Sequence, residues 1–100
     1  MDFNQAIERL DAEWDMDGFL GLLRDGEFIP DRAESFLALL NEIVISDEDL
    51  LPKRLVSLLW YLPSFLVWQE ERVAVKGDVA AYKRFINQVC NRLEDLLGVP

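Results

Sequence analysis

The last quarter of the chain fixes its structural class. Val79, Tyr82, Phe85, Ile86, Val89, Leu93, Leu96 and Leu97 recur at helical intervals up to Gly98, which lays them along one face of a helix. Lys76-Gly77-Asp78 precedes them as a turn and an N-cap. The same period runs upstream, through Phe3, Ile7, Leu10 and Trp14 and then through Ala33, Phe36, Leu37, Leu40, Ile43 and Val44. No stretch shows the strict alternation of an exposed strand; Val73–Val75 is the one short candidate. The sequence therefore predicts an all-α fold, a compact antiparallel bundle of four to five helices in a single domain spanning residues 1–100.

Punctuation residues place the helices near 3–13, 17–25, 31–45, 52–73 and 78–97. Asp15-Met16-Asp17-Gly18 breaks the first pattern, and either aspartate can accept from the free amides of a following helix. Asp25-Gly26 ends the second helix with a left-handed cap. Asp31 and Glu34 have capping-box spacing after Pro30. Asp47, Glu48 and Asp49 suit the positive end of the next helix dipole, with Pro52 at its start. That helix is apolar on most sides, which marks it as the central one, and Pro63 is expected to kink it. Leu40, Ile43, Leu55, Leu59, Leu62, Phe85 and Val89 should be the most buried residues.

Charge is distributed unevenly along this frame. Residues 1–51 hold fourteen carboxylates and three basic side chains, a formal −11, whereas residues 52–100 hold five and seven, or +2. Such polarity creates a field that draws a cation-rich partner. An isoelectric point near 4.3 argues against nucleic-acid binding. Lys76, Lys83, Arg84 and Arg92 read as the solvated face of the last helix. The stretch Leu55–Trp68 is too short, and too interrupted by Ser57, Pro63 and Ser64, to cross a bilayer. The acidic, amphipathic N-terminus is not a signal peptide, so a cytoplasmic location is expected.

Catalysis has little to work with. The chain has no histidine, so the commonest general base and nitrogen metal ligand are missing. Cys90 is alone and falls on an apolar helix face, where a thiol behaves as a small hydrophobe. Glu13 to Gly18 resembles the opening of a calcium-binding EF-hand loop, but the twelfth position, which needs a bidentate glutamate, is Arg24. The glycines form no phosphate-binding pattern. The expectation is a protein that is not an enzyme and takes no cofactor or metal.

The residues assigned to partner binding are Asp11, Glu13, Asp15 and Asp17 at the end of helix one, Asp47, Glu48 and Asp49 in the third connection, and Tyr61. Capping needs one carboxylate per helix rather than three or four, and helix ends of this kind can meet at one end of a bundle. Trp60, Tyr61, Phe65 and Trp68 lie within nine residues, and Trp and Tyr are favoured interface anchors. Packing into the core is the competing role for Trp60 and Trp68.

Size, acidity and helical class are similar to those of the small immunity proteins that protect bacteria from nuclease toxins, including the colicin and contact-dependent inhibition groups. Trp60-Tyr61-Leu62-Pro63 compares with the Tyr-Tyr-Pro element of the colicin group, but a leucine precedes the proline and no carboxylate adjoins it. No binding residue is therefore carried over from that family. The resemblance implies a basic protein partner, a cognate toxin domain, bound by a monomer or weak homodimer. The alternative is a helical adaptor that self-associates or joins an assembly through Leu58–Trp68.

Overall fold

Local capping chemistry starts and stops the outer helices. In the computed structural model, which describes residues 1–100, α1 (Phe3–Trp14) opens at Asp2. The Asp2 carboxylate accepts from the Gln5 amide, and the Gln5 side chain accepts from the Asp2 amide, a reciprocal capping box. At the other end of the chain, Asp78 caps α7 (Val79–Leu97) by accepting from the Ala81 amide. Between them lie α2 (Phe19–Leu23), α3 (Pro30–Glu42), α4 (Lys53–Trp60), α5 (Leu62–Trp68) and α6 (Glu70–Lys76). Tyr61 and Gln69, the joints within α4–α6, keep right-handed helical dihedrals. Those three segments therefore form one rod bent twice, and the fold is an all-α bundle of five helical units.

Cross-helix contacts give the directions. Arg9 pairs with Glu42, whereas Glu13 lies beside Ser35, so α1 and α3 are antiparallel. Asp11 meets Arg54 and Trp14 meets Leu58, so α1 and α4 run together. Leu51 lies near Leu96, and Leu66 near Tyr82, so the rod opposes α7. The chain thus runs up, down, up and down, with α2 inserted into the first crossover.

The core follows the helical stripes. Phe19 from α2, Phe28 from the following loop, Phe36 from α3 and Tyr82 and Phe85 from α7 form one cluster, with ring centroids 5.1–6.4 Å apart. All seven residues expected to be most buried are in the core. Gly26 holds φ +81° as the left-handed cap anticipated for it, and a Cβ there would lie 2.6 Å from the Arg72 carbonyl oxygen. Glycine is thus required for this turn to pack against α6.

Several boundaries differ from expectation, each for a physical reason. Asp15 and Asp17 cap nothing; Gly18 is the N-cap of α2. Asp31 and Glu34 make no capping box, because Pro30 starts α3 and the Arg32 and Ala33 amides bond to the Ile29 carbonyl instead. α3 stops at Glu42, since Ile43 is extended (ψ 126°). Alternation then replaces helical spacing there: Ile43 and Ile45 turn inward and Val44 outward. Asp47, Glu48 and Asp49 open no helix. Asp49 closes a turn on Ser46, its carboxylate accepting from the Ser46 amide while its own amide donates back. Pro63 lies in the first turn of α5, so the rod breaks at Tyr61. A second break falls at Gln69, whose buried side chain donates to the Phe65 carbonyl and accepts from Arg72. Val73, part of the strand candidate, is helical and buried.

Two stability measurements check this core. Leu59 is fully buried, so Leu59→Ala should lower unfolding free energy by about 2–5 kcal/mol in urea titration. A loss well under 1 kcal/mol would contradict its central position. The Tyr82 hydroxyl donates to the Leu66 carbonyl at 2.6 Å. Burial, then Glu70, pushes its ionisation well above the ordinary range. The unfolded chain ionises this phenol near pH 10 while the folded one keeps its proton, so stability should be full below about pH 10 and fall above it. Tyr82→Phe should flatten that alkaline decline and cost about 0.5–1.5 kcal/mol at neutral pH.

Candidate protein-interaction surfaces

The fold distributes the acidic candidates over two separate regions. Asp11 is half-buried on the α4 side of α1, in an ion pair with Arg54. Glu13 is half-buried on the α3 side, beside Ser35 and Leu39. Asp15 and Asp17 are exposed in the turn after α1, where the Asp17 carbonyl accepts from Arg32 at 3.0 Å. Asp47, Glu48 and Asp49 are exposed beyond the opposite end of α3. Asp47 and Asp49 line a cleft there with Asp95. The length of α3, about 18 Å at 1.5 Å per residue, separates the two regions, so the clusters do not meet at one end of the bundle.

Within the molecule these charges are almost unopposed. Of nineteen carboxylates, only Glu42 and Asp11 have a cationic side chain within ion-pair distance. Capping engages Asp2 and Asp78 alone. Both ion pairs are well exposed, so neither adds much to stability.

The basic residues are more committed. Arg92 is half-buried rather than part of a solvated face, and it donates to the Leu40 and Ile43 carbonyls at 3.1 and 2.7 Å. Arg24 lies over the rings of Trp14 and Phe65. Lys76, Lys83 and Arg84 are exposed. Cys90 is half-buried, and burial followed by Glu94 raises its thiol pKa, which disfavours the reactive thiolate at neutral pH.

The second surface is aromatic. Along the outer side of the rod, Trp60 is 60% exposed, Trp68 66% and Val67 49%. Tyr61 bridges the two indoles, with ring centroids 5.6 Å from Trp60 and 6.0 Å from Trp68. The rest of the Leu58–Trp68 region divides sharply: Leu58, Leu59, Leu62, Phe65 and Leu66 are core. Trp14 reaches the same place from α1. Its indole donates to the Leu58 carbonyl at 3.3 Å, and its ring lies 6.4 Å from Tyr61 and 4.7 Å from Phe65. Trp14, Trp60 and Tyr61, with Arg24 and Arg54, line an open groove of about 410 Å³. Both indoles follow from helical spacing once Leu62 and Phe65 are assigned inward, but sequence alone left them divided between core and surface.

No protein-family model, curated protein or solved structure matches the chain.

Tryptophan fluorescence should report this division directly. Trp60 and Trp68 should give the native protein a water-like emission and ready quenching by acrylamide. With Trp60→Phe and Trp68→Phe combined, the remaining emission from half-buried Trp14 should move to shorter wavelength and quench less.

Proposed function

We propose that this chain is a binding protein that engages a basic protein partner through its acidic surface, most specifically as an immunity-type inhibitor of a toxin domain. One observation carries the reading: a fold that uses two carboxylates as caps and two in ion pairs leaves the other fifteen of its nineteen without either role. A toxin that acts on nucleic acid must itself present cationic surface to phosphates. A rigid, acidic helical domain competes for that surface and closes it to the substrate. The inhibitor acts as a monomer or weak homodimer in the cytoplasm, without cofactor, metal or catalytic step of its own.

A second reading, an adaptor that self-associates through the outer side of the rod, draws on the exposure of Trp60, Val67 and Trp68. Sedimentation at increasing concentration separates the two: the inhibitor stays monomeric or pairs only weakly without its partner, whereas the adaptor forms a tight dimer that Trp60→Ser with Trp68→Ser abolishes.

The test is the charge. With the partner co-purified from the native host, association should be fast at low salt and slow steeply as ionic strength rises. Because the acidic regions are about 18 Å apart, one of the pairs Asp15→Lys with Asp17→Lys, or Asp47→Lys with Asp49→Lys, should lie nearer a single partner and matter more. That pair should lower the on-rate about tenfold or more. Lys83→Glu with Arg84→Glu should change little. A neutral or acidic partner, insensitive to salt and to both reversals, would remove the basis of the reading.

A further inference from the structure

We infer that the open groove beside the rod, lined by Trp14, Leu58, Trp60 and Tyr61 together with Arg24 and Arg54, docks an acidic segment of a partner protein. The segment seats an apolar side chain against the aromatic rings and places a neighbouring carboxylate on the guanidinium groups. This goes beyond the basic-partner reading and does not depend on it, because the groove and the acidic regions carry charge of opposite sign.

Three observations combine. The first is uncovered apolar surface, for the Trp60 indole stands more than half exposed at the groove. Indoles and phenols dominate the affinity of interfaces because they bury much area with few rotatable bonds. The second is charge. Both charged groups in the lining are cations, in a chain whose net charge is −9. Arg54 spends only Nη2, on Asp11. The third is the state of Arg24. Five of the seven arginines donate to an oxygen of the chain. Arg24 donates to none; its guanidinium carbon lies 6.0 Å from the Trp14 ring centroid and 5.6 Å from that of Phe65. A guanidinium resting on aromatic rings keeps its in-plane donors available, and a carboxylate accepts two of them at once.

The surroundings narrow the occupant further. A polyanion such as nucleic acid is repelled by the field of the whole chain, whereas one carboxylate beside apolar bulk meets the local charge alone. The same field opposes a second copy, since each copy carries −9. Small ligands are enclosed on most sides by their sites, but this groove is open, a shape that suits a protein segment.

The experiment displays a library of fully randomised linear peptides, removes those that bind Trp60→Ser, and recovers those that bind the intact protein. Trp60 is exposed, so thermal unfolding of that variant should match the parent. Recovered peptides should pair aspartate or glutamate with leucine or an aromatic residue. Replacing that acidic residue by its amide should weaken binding about tenfold or more. Arg24→Gln should weaken the unmodified peptide by a similar factor. In Arg24→Gln the amide replacement should then cost little further, the coupling expected of groups in contact. Arg24→Lys should restore only part of the affinity, because an ammonium keeps the charge but not the two-pronged geometry.

Failure to recover any peptide that distinguishes the parent from Trp60→Ser would overturn the inference, as would recovery of peptides rich in lysine or arginine. Acidic peptides whose affinity ignores both Arg24→Gln and Arg54→Gln would also overturn it. The amide replacement lies on the peptide, so it tests the carboxylate without altering the fold. A tight dimer abolished by Trp60→Ser would assign the groove to a second copy and overturn the inference. Salt-dependent capture of a basic partner by the acidic regions is read in a separate measurement, so the two readings fail independently.

Discussion

Helices that stop inside a small domain leave carbonyl groups without amide donors, and a buried carbonyl without a partner is costly. Three side chains far away in sequence meet that demand here, or add to a backbone bond already made. Trp14 of α1 donates to the Leu58 carbonyl near the end of α4, where no backbone amide across the break at Tyr61 reaches it. Tyr82 of α7 donates to the Leu66 carbonyl in the last turn of α5, which also accepts from the Gln69 amide. Arg92, also on α7, donates to the Ile43 carbonyl as α3 ends, and joins the Ile43 amide at the Leu40 carbonyl. Each cap also fixes one helix against another, so the element boundaries and the tertiary arrangement share the same bonds. The first break in the rod is tolerable because the carbonyl it frees, that of Leu58, has the Trp14 indole as partner.

This sharing explains what could be read in advance. Helical stripes are local in sequence, so the class, the core and the long last helix were legible from the spacing of apolar residues. Asp78 and Gly26 act within a few residues of the ends they serve, and they were legible too. Asp2 and Gln5 carry an equally local signal, a three-residue capping-box spacing that sequence reading passed over. The end of α3 and the second break in the rod belong to another category. Arg92 lies about fifty residues beyond the carbonyls it caps, and Gln69 is a polar side chain that is buried although its residue type gives no sign of it. No window of sequence contains such information. The acidic clusters fall between the two: their exposure follows from composition, but their separation by the length of α3 depends on chain direction.

The two candidate surfaces differ in physical character. The carboxylates act at a distance: they set a field, raise encounter rates and are weakened by salt. The exposed indoles act only on contact, and their contribution does not depend on ionic strength in the same way. A binding protein needs both properties, speed from the first and persistence from the second. The arrangement of α1 beside α4 puts the end of the acidic helix next to the aromatic groove.

Trp14 ties that groove to the interior. Its indole is hydrogen-bonded to the rod's backbone, packed on buried Phe65 and covered by the Arg24 guanidinium, so the wall it forms is preorganised. A wall held in this way has little conformational entropy left to lose on contact. The side chain that repairs a broken helix also stiffens one wall of the groove.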